Sequence, residues 1–319
     1  MEPSVELVGV LHLHTCYSDG TATPAELVQL AANQGLDFIG INDHRNLKAR
    51  QAGWAGLRDG VTVLAGSELN DPSLANHILV YGSETIPPVA DSSAQLAHLA
   101  SAGGLAIVAH PCERGTRLPK MGPYPWKHGP LPGIGGVEVW NYMSDWKTDA
   151  GLRDMHRRIK NPDSFVGGPN SGAVELWLKT GGCVVGGVDA HGLRFGVGRF
   201  RLEVFPYSRM MEKLHCHVLL DAALPTGAEE RTIVDAIGRG RSFTSSPALG
   251  SARGFRFCRD GDAVSMDLPD DCTLRVRTVR GVLQRPVASG RRRFSMPSSE
   301  RAFVELLKDG RTWICFGLD

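Results

Sequence analysis

Short apolar runs recur along this chain, and each carries a histidine or a carboxylate at or near one end. They are LHLHTCYSDG (11–20), IGINDHRN (39–46), VLAGSEL (63–69), NHILVYG (76–82), IVAHP (107–111) and VGGVDAH (185–191). Apolar runs of this length, bounded by turn residues, read as buried strands. The fold must therefore gather the ends of several strands, because they carry His12, His14, Asp19, Asp43, His44, Glu68, His77, His110, Asp189 and His191. Taken alone, any one of these histidines is better explained as a satisfied core or surface residue. Six of them beside four carboxylates mark a buried multi-metal centre, since neutral imidazole and carboxylate together suit zinc, iron and manganese.

The elements between these runs set the architecture. Residues 5–14 read as a strand whose period of two puts His12 and His14 on one face and Leu11 and Leu13 on the other. Thr23-Pro24-Ala25-Glu26 is a capping box with proline at the first helical position, opening a helix that ends at Gly35. Further helices are expected near 48–58, 92–102 (capped by Ser92 or Ser93), 171–180 and 229–238. They alternate with the strands LDFIGIND, VTVLAG, HILVYG, LAIVAH, GVEVWN, CVVGGVD and FRLEVF. Repeated βα units imply a mainly parallel sheet, and a barrel or near-barrel collects functional residues at the carboxyl ends of its strands. The Pro/Gly-rich stretch 111–136 leaves directly from His110 and reads as a lid. Its Lys120, Trp126, Lys127 and His128 are candidates to close over a substrate. From about 247 the runs GFRFC, TLRVRTV, RAFVELL and TWICFG, without a helix, predict a small β-rich, sandwich-like domain. The organisation expected is thus 1–246 and 247–319.

Bulk properties narrow the partners. With 319 residues, 42% of them hydrophobic, the chain buries a large core. A formal net charge of +1 gives no global field for nucleic acid or an anionic membrane, which favours a small substrate. The seven cysteines are scattered and never in CxxC spacing, which argues against a disulfide framework or a thiolate zinc site. There is no basic-then-apolar leader, and no run approaches the ~18 apolar residues of a membrane span, so a cytoplasmic protein is expected. Neither a GxSxG elbow nor a GxxxxGK[ST] loop occurs, which disfavours acyl-enzyme and nucleotide-driven chemistry. The run His215-Cys216-His217 lacks partnering carboxylates and reads as a packing segment.

The motifs HLHTCYSDG, INDHRN, GSE, NHILVYG, AHP and VDAH, over roughly 8–246, resemble the polymerase and histidinol phosphatase (PHP) family of metal-dependent hydrolases. DHRN, the PYPW loop, EVWN and TWICFG look most like its CehA/McbA-type members. The resemblance implies a distorted (β/α)7 TIM-like barrel with up to three metals at its mouth. It assigns His12, His14, Glu68 and Asp189 to one ion, Glu68, His77 and His110 to a second, and Asp19, His44 and His191 to a third. The activity implied is hydrolysis of a small phosphate mono- or diester by a metal-bridged hydroxide, with two or three zinc, manganese or iron ions as cofactors. Asp43 is expected to orient a histidine or water, and Arg45 and Arg194 to grip phosphate oxygens. Glu138 and Asn141, at another strand end, are placed near substrate or behind a ligand. Two other readings stay open: hydrolysis of a carbamate, amide or carboxylic ester, and a non-catalytic metal-binding module.

Overall fold

The computed structural model describes all residues except 1–4, 118–121, 198, 199 and 298, and the side chains of 194–197 and 200–202 also lie outside the described set. The amino-terminal part runs β1 (Val5–Leu13), α1 (Pro24–Asn33), β2 (Phe38–Ile41), α2 (Lys48–Gln51), β3 (Gly56–Arg58), β4 (Val61–Ala65), β5 (Ser67–Leu69), β6 (Ile78–Tyr81), α3 (Ser92–Ser101) and β7 (Leu105–Val108). The middle continues through β8 (Gly136–Asn141), α4 (Tyr142–Lys147), α5 (Met155–Lys160), α6 (Ser171–Thr180), β9 (Cys183–Gly187), β10 (Arg194–Val197), β11 (Phe200–Glu203), α7 (Tyr207–Met210), β12 (His215–Leu220), α8 (Glu229–Gly238) and β13 (Ser242–Ser245). The remainder is β14 (Arg256–Asp260), β15 (Ala263–Leu268), β16 (Cys272–Thr278), β17 (Gly281–Val287), β18 (Gly290–Ser295), β19 (Ala302–Lys308) and β20 (Arg311–Leu318), with no α-helix among its described residues.

Two open sheets face each other across the core. The larger has the order β17-β16-β19-β20-β13-β12-β1-β2-β4-β3, and the smaller β5-β6-β7-β8-β9. Parallel pairing holds for β1/β2/β4 and for β7/β8/β9, whereas β6 runs antiparallel to both its neighbours. The runs FIGI, VTVLA and ILVY are buried at every residue, as strands covered on both faces must be. Leu11, Phe38 and Leu64 of one sheet meet Leu79, Tyr81, Ile107 and Val185 of the other, and α8 adds Ile233, Val234 and Ile237.

The expected (β/α)7 barrel is not formed as a closed ladder: among the described residues no sheet closes, and the two sheets meet through single parallel bridges, His44 to Glu68 and Leu13 to Ala190, and a few backbone hydrogen bonds beside them. The reason lies at the seams. Between β4 and β5 the chain turns at Gly66, where a Cβ would sit 1.9 Å from the Val80 carbonyl oxygen, so the strand bends out of its own sheet. At the other seam Asp189 is left-handed (φ 56°), and contact with β1 is limited to a few backbone bonds at Val188 and Ala190 on either side of it, so no regular ladder forms there.

Several local expectations need correction. The helix near 48–58 stops at Gln51, because Gly53 and Gly56 adopt positive φ and the chain enters β3. The α3 cap is Asp91, whose side chain accepts from the Ala94 amide, in place of Ser92 or Ser93. His77 enters β6 at its amino end, which the antiparallel direction brings to the same rim as the carboxyl ends of its neighbours. By contrast, α1 begins with the full capping box at Thr23 and Glu26. None of the described helices is long and apolar enough to cross a membrane.

Candidate metal centre

The centre starts at an irregularity in β1. Strict alternation would set Leu11 and Leu13 on one face, but Leu11 packs in the core between the sheets while Leu13 packs with Val8 and Val10 under the helices. The alternation fails because His12 is left-handed (φ 65°) at a register shift between Val10 and Leu13 relative to β2. That extra residue turns both imidazoles inward, with ring centroids 5.2 Å apart.

Glu68 is the hub. Its Oε2 lies 3.4 Å from His12 Nε2, 3.3 Å from His14 Nε2 and 3.2 Å from His44 Nδ1. Its Oε1 lies 2.7 Å from His77 Nδ1 and 3.0 Å from His110 Nε2. Asp189 Oδ1 approaches His12 Nε2 at 3.5 Å and His14 Nε2 at 3.4 Å. Asp19 spans His191 Nε2 at 3.4 Å and His44 Nε2 at 3.6 Å. His12, His110 and Asp189 all have positive φ, a strain that clusters where ligands must be aimed.

Four groups could each hold an ion: His12/His14/Glu68, His12/His110/Asp189, Glu68/His77/His110, and His14/Asp19/His44/His191. Thus the structure brings together all nine residues expected as ligands, with His14 also close to the Asp19 group and His110 close to Asp189. The donors fit a cation. His12 Nε2 and both ring nitrogens of His14 are buried with no hydrogen-bond partner, a costly arrangement that ligation would satisfy. Burial, reinforced by neighbouring His191, pushes His14 down to about 3, leaving the neutral imidazole that binds metal. Burial would raise the Glu68 and Asp189 carboxyls, but the surrounding histidines hold both well below the carboxylate range, so they stay ionised.

A layer of fixed partners lies behind the ligands. Glu138 Oε1 sits 2.8 Å from His12 Nδ1, and its Oε2 accepts from the His110 amide and from Asn141 Nδ2, both at 2.9 Å. Glu113 Oε2 is 3.2 Å from His110 Nδ1, and its Oε1 is 2.9 Å from Lys147 Nζ. Asp43 does not orient a histidine. Its oxygens accept from the Thr15 amide, Thr15 Oγ1 and Ser18 Oγ, which ties down the loop that carries Asp19.

The centre opens into a cleft of about 560 Å³, walled by Asn70, Leu74, Tyr124, Met143, Lys147 and Leu193 together with the candidate ligands. Arg45 does not line it. Its Nη1 donates to the Asn70 carbonyl, since its left-handed backbone and the bond from its amide to the Glu68 carbonyl turn the side chain along the rim. The Arg194 side chain and Lys120 lie outside the described residues. Of the proposed lid, Trp126 is buried against Leu69 and Ile78, the Lys127 amide is held by Asn76, and His128 packs edge-on to Trp126. Instead it is Tyr124 that reaches the centre, stacked on His77 at 5.0 Å. His217 packs in the sheet, but contrary to expectation the run does have a carboxylate partner: the His217 nitrogens lie 2.8 Å from Glu6 Oε1, which comes from β1, and from Ser245 Oγ. Sequence reading passed over Lys147 and Glu113, whose only hint was their place a few residues beyond strands that end on site candidates, and it gave Tyr124 no role although the PYPW loop that holds it was singled out.

This arrangement can be set beside known proteins. Residues 11–99 match the PHP domain family. The matched segment carries His12, His14, Asp19, His44, Glu68 and His77, and the geometry adds His110, Asp189 and His191 from beyond it. Over 99% of this chain and 96% of the other, the fold is similar to a two-domain Bacteroides vulgatus protein containing a predicted PHP-like metal-dependent phosphoesterase, at 13% identity and TM-score 0.50. Weaker likeness extends to a Bifidobacterium adolescentis structure provisionally named a metal-dependent phosphoesterase (17% identity, 66% and 96% covered, TM-score 0.37). It extends also to an amidohydrolase from Chromobacterium violaceum with bound sulfate and no metal (18% identity, 57% and 87% covered, TM-score 0.35). No curated protein matches the chain.

Proposed function

We propose that this protein is a metal-dependent phosphoesterase that hydrolyses a small phosphate mono- or diester at a centre of two or three zinc, manganese or iron ions. The observation that carries the reading is one buried carboxylate, Glu68, within 3.4 Å of five imidazoles, beside a second buried carboxylate and orphaned ring nitrogens. His12, His14, Glu68 and Asp189 would hold one ion, Glu68, His77 and His110 a second, and Asp19, His44 and His191 a third. Ions held there would supply Lewis acidity toward the ester and lower the pKa of a water toward ~7. Glu138 fixes the His12 ring, Glu113 fixes that of His110, and Tyr124 with Leu74, Met143 and Leu193 shapes the wall that receives the leaving group. The PHP match and the name of the Bacteroides relative support the reaction class. The distorted barrel of the family, its CehA/McbA-like branch and a division at 246/247 belong to the same reading. Seven unpaired cysteines support a reducing compartment such as the cytoplasm.

Carbamate, amide or carboxylic ester hydrolysis is the second reading. It is favoured by the apolar walls of the cleft and by the engagement of Arg45 with Asn70. One experiment separates the two: elemental analysis of the purified protein with assays of p-nitrophenyl phosphate, bis-p-nitrophenyl phosphate and p-nitrophenyl acetate. Two or three ions per chain with chelator-sensitive phosphate release are expected. Metal with carboxylic ester cleavage alone would move the assignment to carbonyl chemistry, and failure to bind metal after reconstitution would overturn both.

A further inference from the structure

We infer that Lys147 is the anion-recognition residue of this cleft, and that it selects substrates bearing a phosphate or similar tetrahedral oxyanion over neutral esters. The inference deepens the phosphoesterase reading and rests on it for the identity of the anion. Among the described residues lining the cleft, Lys147 is the only lysine or arginine. It is the last residue of α4, the helix that follows directly from β8 and is capped by Asn141, so its backbone is fixed to the strand carrying Glu138. Its ammonium is 2.9 Å from Glu113 Oε1, and the Tyr124 ring centroid lies 5.7 Å away. Glu113 occupies one of three N–H donors, and no other hydrogen-bond partner for Nζ exists among the described residues.

The chemistry favours a role beyond neutralising Glu113. A largely buried ammonium is costly, and Glu113 is shared with His110, so the pair is built into the ligand layer of the centre. The Glu113 tether holds the cation at the cleft wall with two donors free, the arrangement a point-charge phosphate binder needs. Arg45, by contrast, does not line the cleft, and its Nη1 is turned to the Asn70 carbonyl. Lys147 is therefore a binding residue whose partner is the charge on the substrate.

The test is isothermal titration calorimetry of inorganic phosphate into the metal-loaded protein, comparing wild type with Lys147→Met and Lys147→Arg. Metal content and thermal stability are followed on the same samples. A charge-assisted hydrogen bond corresponds to a loss of about ten- to hundred-fold in phosphate affinity for Lys147→Met, with metal content unchanged and partial rescue by Lys147→Arg. KM for p-nitrophenyl phosphate should rise in parallel, with KM for p-nitrophenyl acetate unmoved. If leaving Glu113 unpaired prevents folding, the double variant Lys147→Met/Glu113→Gln removes both charges and is compared with Glu113→Gln alone, because Glu113 also faces the His110 ring. Phosphate affinity within two-fold of wild type in a folded, metal-loaded variant would overturn the inference and leave Lys147 as a counter-ion of Glu113. Lys147-dependent phosphate binding without turnover of any phosphate ester would uphold the anion site while sinking the phosphoesterase reading.

Discussion

At the scale of single residues, the centre depends as much on what holds the ligands as on the ligands. Glu138 spans the His12 ring and the His110 amide, so it sets the orientation of one ligand and the backbone of another. Glu138→Gln keeps the shape but loses the charge that favours the ring N–H facing it. Partners of this kind typically change metal affinity by about 10–100-fold. The variant is expected to fold normally by circular dichroism and to show that loss in a competitive chelator titration; unchanged affinity would show that the His12 ring is fixed by packing alone. The ligand candidates themselves were legible because each ends or begins an apolar run, and a polar group at such a place needs a reason. The roles of Lys147, Glu113 and Tyr124 were not legible, since neither their place beyond a strand nor the PYPW motif around Tyr124 says which side chain turns to the centre. Lys147 closes an ordinary helix, and its partner Glu113 is 34 residues earlier, joined to it only by the path of the loop over the rim. Asp43 shows how sequence adjacency misleads about partners: it stands beside His44, yet its oxygens accept from Thr15 and Ser18 and from no histidine among the described residues.

At the scale of elements, β1 carries both the site and the seam with the rest of the larger sheet. Its carboxyl end was read correctly as the source of His12 and His14, but by the wrong geometry, because a β-bulge has no sequence mark when the bulged residue is itself functional. At the other end, Glu6 accepts from the Gly254 amide and Arg256 Nη1 and faces His217 of β12. Burial would raise this carboxyl, but the bonds from His217, Gly254 and Arg256 bring it down to about 2 from an ordinary 4.5. A carboxyl depressed in the folded state stabilises fully above the unfolded value, and that contribution fades as pH falls from about 4.5 toward 2. Glu6→Gln is therefore expected to lower stability by about 1–3 kcal/mol at pH 7, the range for hydrogen bonds to charged groups. The gap from wild type should narrow steadily below pH 4.5 in thermal melts. A gap of constant size down to pH 3 would place the loss in shape and not in charge.

At the scale of the whole molecule, the alternation of strands and helices was visible in sequence, whereas the joining of the two ends of the chain was not. The reading of 247–319 as a β-rich appendage followed from a change in pattern, but pattern does not record which strands pair. β20 pairs antiparallel with β13, the Ser246 amide donates to the Trp313 carbonyl, and β12 and β13 connect that ladder to β1. The apolar contacts repeat the theme. Leu219 and Phe243 share one cluster with Phe255, Trp313, Ile314 and Phe316, and Trp177 of α6 meets Phe303 edge-on. Cutting the chain after residue 246 would leave β13 as an unpaired edge and strip cover from Phe243 and Trp177, the conditions under which sheets associate with other copies. The full chain is expected to unfold in a single cooperative transition by calorimetry. The fragment 1–246 is expected to aggregate or to bind a hydrophobic dye, and to lose metal. A monomeric fragment with its own cooperative transition and a full complement of metal would show instead that the strands beyond 246 decorate the metal-binding part without completing its core.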